Sequence, residues 1–301
     1  MHVAVLGPGA IGSVFGGRLA RSGVDVTLVG RPGAHVDALR TDGLRLTLPD
    51  ETTERVPVDV TTDADTVDSV AVVLVCVKAY DTRSALADAE HLLTDADVCT
   101  FQNGLGNPET LAEFVPASRV LAGTTSHGAT LEAPGHVRHA GVGDTYVGNY
   151  FADTDTTATA LARALTDAGI ETTVVADAER AVWEKVLVNV GINAVTALAG
   201  VPNGRLADTD PGERVLRRAV EEAASVADAE GVSLTVDPVA AASRVARRTA
   251  ENVSSMRQDL ERGRKTEIDA LNGEIVARGR DHGIETPVNE TLTDLVRLAQ
   301  T

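Results

Sequence analysis

Three polar side chains in an apolar stretch offer the most chemistry in this sequence. Lys185, Asn189 and Asn193 stand at i, i+4 and i+8 within residues 183–194. On an α-helix that spacing lines them along one face. The rest of the stretch is apolar nearly all round, so the helix is expected to be buried. A buried amide or amine without a partner costs roughly 1–3 kcal/mol. The stripe therefore calls either for a polar seam between helices or for a bound ligand. A lysine in such a place has a specific use. Reducing a carbonyl brings hydride to carbon and a proton to oxygen. An ammonium can stabilise the developing oxyanion and then protonate it. Desolvation would lower its pKa toward working pH.

Further along, Asn252, Ser254 and Ser255 offer hydroxyl, amide and backbone donors suited to a carboxylate. Glu267 follows Thr266 in a segment that reads as a helix start. It is either a first-turn carboxylate favoured by the helix dipole or an acid placed near the lysine. Near the N-terminus, Gly7, Pro8, Gly9, Ala10, Ile11 and Gly12 form G-x-G-x-x-G. Alone the pattern is weak, but here it follows a strand and opens a helix, which is its dinucleotide-binding context. The first glycine permits the tight turn, the second lets backbone approach a pyrophosphate, and the third allows close helix–strand packing. NAD-binding folds place an acid at the end of the second strand to hold the ribose 2′-OH. This chain has Gly30 and Arg31 there. A guanidinium can grip a 2′-phosphate bidentately, so NADPH is expected over NADH, unless Arg31 is an ordinary surface arginine. Lys78, and Gln102-Asn103-Gly104, follow two further strands. They sit at the carboxyl edge of the sheet, where ligands bind in open α/β folds, unless each is a plain loop feature.

These residues need elements to hold them. Residues 3–6, 25–29, 70–77 and 97–101 read as buried strands, and 11–22 as a helix between the first two. That βαβ rhythm implies a parallel sheet with helices on both faces. Residues 44–48 and 56–60 flank a polar turn and read as an inserted hairpin. Residues 136–148 alternate after Pro134-Gly135, and 171–176 read as a last strand. Residues 152–159 are expected to be a solvated loop. From Asp177 the character changes, and 178–198, 211–230, 238–260 and 266–280 read as helices. The domains are therefore set at 1–177 and 178–301, the second all-helical.

The net charge of −17 argues against nucleic acid, which needs a basic face. No apolar run approaches the roughly 20 residues of a membrane span, so neither a membrane partner nor a span is expected. The first strand begins at His2, leaving no room for a targeting segment, so a cytoplasmic location is expected. The chain holds 25 Asp and 19 Glu, and 24 Arg beside three Lys. This balance fits a halophilic setting, where a Debye length near 3 Å at about 1 M salt mutes self-repulsion. The surviving Lys78, Lys185 and Lys265 are therefore of individual interest. Cys76 and Cys99 read as core residues. The seven histidines are scattered, and His136 and His139 form no metal site with nearby acids, so no metal is expected.

The ordered set resembles a known family. The glycine turn, Lys78, QNGLGN, GTTSHGA, WEKVLVNVGINAVTAL with Val201-Pro202-Asn203-Gly204, and SSMRQDLERGRKTEIDALNGE are similar to those of the ketopantoate reductases over residues 1 to about 290. The resemblance implies an α/β fold, an N-terminal Rossmann domain followed by an all-helical C-terminal domain, with the active site in the cleft between them. It implies NADPH-dependent reduction of 2-dehydropantoate, a small 2-keto acid, to (R)-pantoate on the way to pantothenate and coenzyme A, and a homodimer is compatible with it. By match, Lys185 would donate the proton. Asn189, Asn193, Asn203 and Ser255 would hold substrate, and Asn103 would touch cofactor and substrate. Arg31, Lys78, Ala129 and Glu267 would contact cofactor, with Glu267 also near the substrate. Ala194 stands where many members have proline, and the glycine turn carries Pro8. Two other readings are weighed: a different 2-keto acid with NADH, as in mandelate-type dehydrogenases, and a non-catalytic NADP-binding sensor.

Overall fold

The computed structural model describes residues 1–152 and 156–300. They form two compact units, one of residues 1–102 and 107–181, the other of residues 103–106 and 182–301.

The first unit is built on strands β1 (His2–Leu6), β2 (Asp25–Val29), β3 (Leu44–Thr47), β4 (Thr53–Val56), β5 (Asp59–Thr61), β6 (Val72–Val75), β7 (Asp97–Thr100), β8 (Val120–Thr125), β9 (Gly128–Ala133), β10 (His136–Gly141), β11 (Thr145–Asn149) and β12 (Thr172–Val174). Eight pair in the order β12-β11-β8-β7-β6-β1-β2-β5. Strands from β8 to β5 are parallel, but β11 runs antiparallel to β8 and carries β12 with it. One edge of the expected parallel sheet is thus reversed. Strand side chains alternate between faces. Val3, Val5, Val72 and Leu74 enter one core, while Ala4, Leu6, Val73 and Val75 enter the other. Burial on both faces explains why these strands read as continuous apolar runs.

Helices α1 (Ala10–Arg21), α2 (Ala34–Asp42), α3 (Thr82–Ala87), α4 (Asn107–Ala112) and α5 (Thr156–Asp167) complete this unit. The expected hairpin of 44–48 with 56–60 is corrected. Its arms are β3 and β4, while residues 59–61 leave to pair with β2 in the main sheet. The hairpin is widened by β10 and β9 into a four-stranded sheet. The expected loop at 152–159 is corrected in part. Residues 153–155 lie outside the described ones, and from Thr156 the chain is helical, because Leu161 and Leu165 bury on one face.

The second unit holds α6 (Ala178–Ala199, from Val182 on), α7 (Asp210–Ala229), α8 (Pro238–Arg248), α9 (Ser255–Glu261), a π-helical turn (Asp269–Gly273), α10 (Glu274–Asp281) and α11 (Pro287–Ala299). The expected single helix over 238–260 is two. The break at Thr249–Ser254 is fixed by Ser254, whose hydroxyl caps α9 by accepting the Arg257 N–H. The helix expected from 266 begins instead as the π turn. Thr266 Oγ1 accepts the Ile268 N–H rather than closing a capping box. Although continuous apolar runs are short, α6 has the length and composition of a membrane span. More than half of its most apolar window is buried within the protein.

Arginine-rich ion pairing suits the acidic surface. Arg21 donates through two nitrogens to both carboxylate oxygens of Glu54, and Arg278 bridges Glu230 and Glu274. The planar fork makes such pairs geometrically specific, which an ammonium does not.

Candidate active site

In the first unit, β1 ends at Leu6 and α1 begins at Ala10, so Gly7-Pro8-Gly9 makes the turn. Gly7 has φ +91°, and a Cβ there would come within 2.6 Å of Val77 Cγ1. A Cβ on Gly12 would lie 2.2 Å from the Gly7 carbonyl oxygen. A Cβ on Gly9 would meet nothing within 4 Å. The outer glycines are thus required by the protein's own packing, whereas the middle one leaves an open approach to the backbone. Gly9 is also the N-cap of α1, and no side chain caps it. The first-turn N–H groups at Ala10 and Ile11 and the positive dipole end remain suited to phosphate.

The turn is braced by residues that the motif does not announce. Ser13 Oγ donates to the Pro8 carbonyl at 2.9 Å and meets His35 Nε2 at 3.1 Å. His35 Nδ1 accepts the Gly135 N–H at 2.9 Å. Because Nδ1 accepts, Nε2 carries the proton and donates to Ser13. Burial pushes the His35 pKa down, which keeps the ring in the neutral form this chain of bonds requires.

Arg31 follows β2 and pairs with Asp81, Nη2 to Oδ2, at 2.5 Å. Lys78 is half-buried just past β6. Gln102 is absorbed structurally. Its Nε2 donates to the Val77 carbonyl at 2.8 Å and to Thr82 Oγ1 at 2.7 Å, tying the ends of two strands together. Ala129 sits on β9 of the small sheet, opposite His139 and packed against the core. His139 is engaged elsewhere. Its Nε2 lies 2.6 Å from His127 Nδ1, both rings buried. Burial lowers both, His139 to about 4. Cys99 is buried, and burial pushes the Cys76 thiol up to about 12, so Cys76 is not a reactive thiolate. Among the described residues no three metal-ligating side chains gather.

The second unit carries the other residues. Lys185, Asn189 and Asn193 all lie on α6, the first two half-buried and the third buried. Burial brings the Lys185 ammonium down to about 8, and the charge of Glu267 opposes that shift. Among the described residues the Lys185 amine makes no hydrogen bond or ion pair. Glu267 is itself buried, and its carbonyl accepts the Ala270 and Leu271 N–H groups at the mouth of the π turn. π turns of this kind recur at functional sites. The turn is anchored to α6 by Asn272, whose Nδ2 donates to the Val190 carbonyl at 3.2 Å and to Asn289 Oδ1 at 2.9 Å.

Asn203 is buried. Its N–H donates to the Asn252 carbonyl and its Nδ2 to Thr249 Oγ1. Its Oδ1 is also buried and has no partner among the described residues. Ser254 Oγ is used twice within the protein, as the α9 cap and as acceptor from Thr196 Oγ1 at 2.8 Å. Asn252 and Ser255 are exposed. Asn103 belongs to a four-residue segment that packs with this unit. Leu105 N–H donates to the Ala270 carbonyl at 2.9 Å, and Gly104, at φ +97°, has no room for a Cβ beside Ala270.

A glycine turn opening a largely parallel sheet, together with a desolvated amine on a helical unit, defines a nicotinamide-dinucleotide-dependent oxidoreductase as the class. The ketopantoate reductase PanE/ApbA family matches residues 3–151, and its C-terminal part matches residues 177–300. A 2-dehydropantoate 2-reductase of Halobacterium salinarum is 53% identical over 300 residues, covering 100% of this chain and 99% of its own. A ketopantoate reductase structure from Ralstonia eutropha superposes with a TM-score of 0.92 at 38% identity, covering 100% of this chain and 98% of that one. A ternary structure of D-mandelate dehydrogenase with NADH and anilino(oxo)acetate superposes equally well, at 0.92, with 28% identity over 100% and 98% of the two chains. The chain belongs to the ketopantoate reductase family.

Proposed function

We propose that the protein reduces 2-dehydropantoate to (R)-pantoate with NADPH, with Lys185 as proton donor, and that it does so in the cytoplasm. The carrying observation is the half-buried Lys185 on α6, its ammonium brought down to about 8 and aligned with two amides. When bound, the dihydronicotinamide supplies hydride to the keto carbon. The open face at Gly9 and the uncapped start of α1 suit a pyrophosphate, so Gly7 to Gly12 would hold it, Arg31 the 2′-phosphate, and Lys78, Asn103 and Ala129 further parts of the cofactor.

The chain's own part is electrostatic and protonic. Lys185 stabilises the negative charge that grows on the keto oxygen and delivers a proton to that atom. Asn189 and Asn193 orient the substrate along the same helix face. The Asn203 Oδ1 accepts a substrate hydroxyl, and Ser255 with Asn252 receives the carboxylate. Ser254 supports this loop through its cap and its bond from Thr196. Glu267 keeps Lys185 charged in the resting state, since its negative field raises the ammonium pKa.

A second reading is favoured by the mandelate dehydrogenase likeness: another small 2-keto acid, reduced with NADH. Arg31 opposes it, because a guanidinium is suited to a 2′-phosphate. A steady-state assay with ketopantoate at high potassium chloride separates the two. The expected result is turnover with NADPH, selectively weakened by Arg31→Ala. Turnover of other 2-keto acids with NADH alone would select the second reading.

A further inference from the structure

We propose that Asp81 is a specificity-determining residue for the cofactor, setting through Arg31 how strongly a 2′-phosphate is preferred over a 2′-hydroxyl. The proposal rests on the reading of Arg31 as the 2′-phosphate ligand. Nothing in the glycine motif points to Asp81, which comes from the segment after β6, a strand separated from β2 by β1.

The pair is asymmetric. Arg31 has a side chain 77% exposed, against 24% for Asp81. Among the described residues, Asp81 is the one polar partner of the Arg31 side chain. Asp81 is fixed. Its N–H donates to the Lys78 carbonyl at 2.8 Å, and its own carbonyl accepts Ser84 Oγ at 3.0 Å. The residues flanking it are held by Gln102, which bonds Val77 and Thr82. Asp81 is therefore the post and Arg31 the arm. A free arginine side chain loses rotamer freedom when it grips an anion. Held through Nη2, Arg31 has already lost much of it, and Nε and Nη1 remain as donors.

The same carboxylate has an opposing effect. It places a negative charge beside the position that a doubly charged 2′-phosphate would take. The two effects separate by salt. Repulsion is screened as the Debye length falls from about 10 Å at 0.1 M to about 3 Å at 1 M. Positioning by a hydrogen-bonded contact at 2.5 Å, inside that length, is screened less. A neutral 2′-hydroxyl experiences little of either. Asp81 thus lowers phosphate preference in dilute buffer and supports it in concentrated salt.

Calorimetric titration of NADP+ and NAD+ into wild type, Asp81→Asn, Asp81→Ala and Arg31→Ala, at about 0.1 M and about 1 M potassium chloride, tests this. The asparagine keeps an acceptor and removes the charge. It is expected to tighten NADP+ about three- to fivefold at low salt, the scale of an exposed ion pair, and to match wild type within about twofold at high salt. The alanine removes the acceptor too. It is expected to weaken NADP+ about three- to fivefold at high salt. NAD+ affinity should stay within about twofold throughout. An NADP+/NAD+ affinity ratio unmoved by both Asp81 variants at both salts overturns the proposal. If Arg31→Ala also leaves that ratio unmoved, the phosphate-binding reading of Arg31 falls with it. If Arg31→Ala abolishes the ratio, only the role of Asp81 is lost.

Discussion

The glycine turn and the α6 stripe solve their tasks by different means. The turn is built by omission. Two glycines are forced by contacts that a Cβ would violate, and the third leaves the backbone open. The stripe is built by burial. Its lysine gains its character from being taken out of water and from the charge of Glu267. The turn's shape is set by packing, and only its His35 brace, which needs a neutral ring, ties it to pH. The stripe's properties are electrostatic and should follow pH closely.

The sharpest way to break the comparison is Lys185→Ala. The expected loss in kcat is about 10²–10⁴-fold, the usual worth of a positioned general acid, with little change in the melting temperature. Retained turnover would show that the stripe is structural. The intact enzyme should also show an alkaline limb in kcat for reduction near pH 8, because the proton donor is lost above the pKa brought down to about 8. In Lys185→Arg the limb should leave that range.

Acid stability tests the electrostatic side elsewhere. His139 is lowered from 6.5 to about 4 in the folded chain, so the unfolded chain binds more protons between those values. Stability should be complete above about pH 6.5 and fall progressively toward pH 4, by on the order of 3 kcal/mol. Denaturant melts at stepped pH measure it, and His139→Gln should flatten the slope. The loss would begin before the many surface carboxylates titrate.

Smaller effects divide the glycines. Gly12→Ala should cost about 1–3 kcal/mol in stability, as overpacking does, because its methyl would meet the Gly7 carbonyl. Gly9→Ala should leave stability within about 0.5 kcal/mol and weaken NADP+ binding instead. Equal melting temperatures for the two variants would contradict the packing account.

Much of this was legible in the sequence where a local rule decides. β1, the glycine turn and α1 follow from a buried strand meeting a helix start, and α6 from a largely apolar stretch with Lys185, Asn189 and Asn193 in helical register. The hairpin partner is not legible, because 53–56 and 59–61 carry similar short patterns and only the larger sheet selects between them. The helix expected over 238–260 hides its break, since residues 249–254 contain no proline or glycine to mark it. The signal for α11 is Pro287 at its first turn, a helix-start residue. Ser13, His35, Asn272 and Asp81 had no signature of their own. Each acquires its role from a partner far away in the chain.

The assignment of Asn103–Gly106 to the second unit bears on how the protein can be engineered. The chain passes from one unit to the other three times, not once. A single scission near Ala181 would release a C-terminal fragment lacking the strip that supplies the Leu105 donor to Ala270. Chimeras exchanging halves between relatives would inherit that strip from the wrong parent. Grafting the tetrapeptide together with residues 182–301 is the natural unit of exchange.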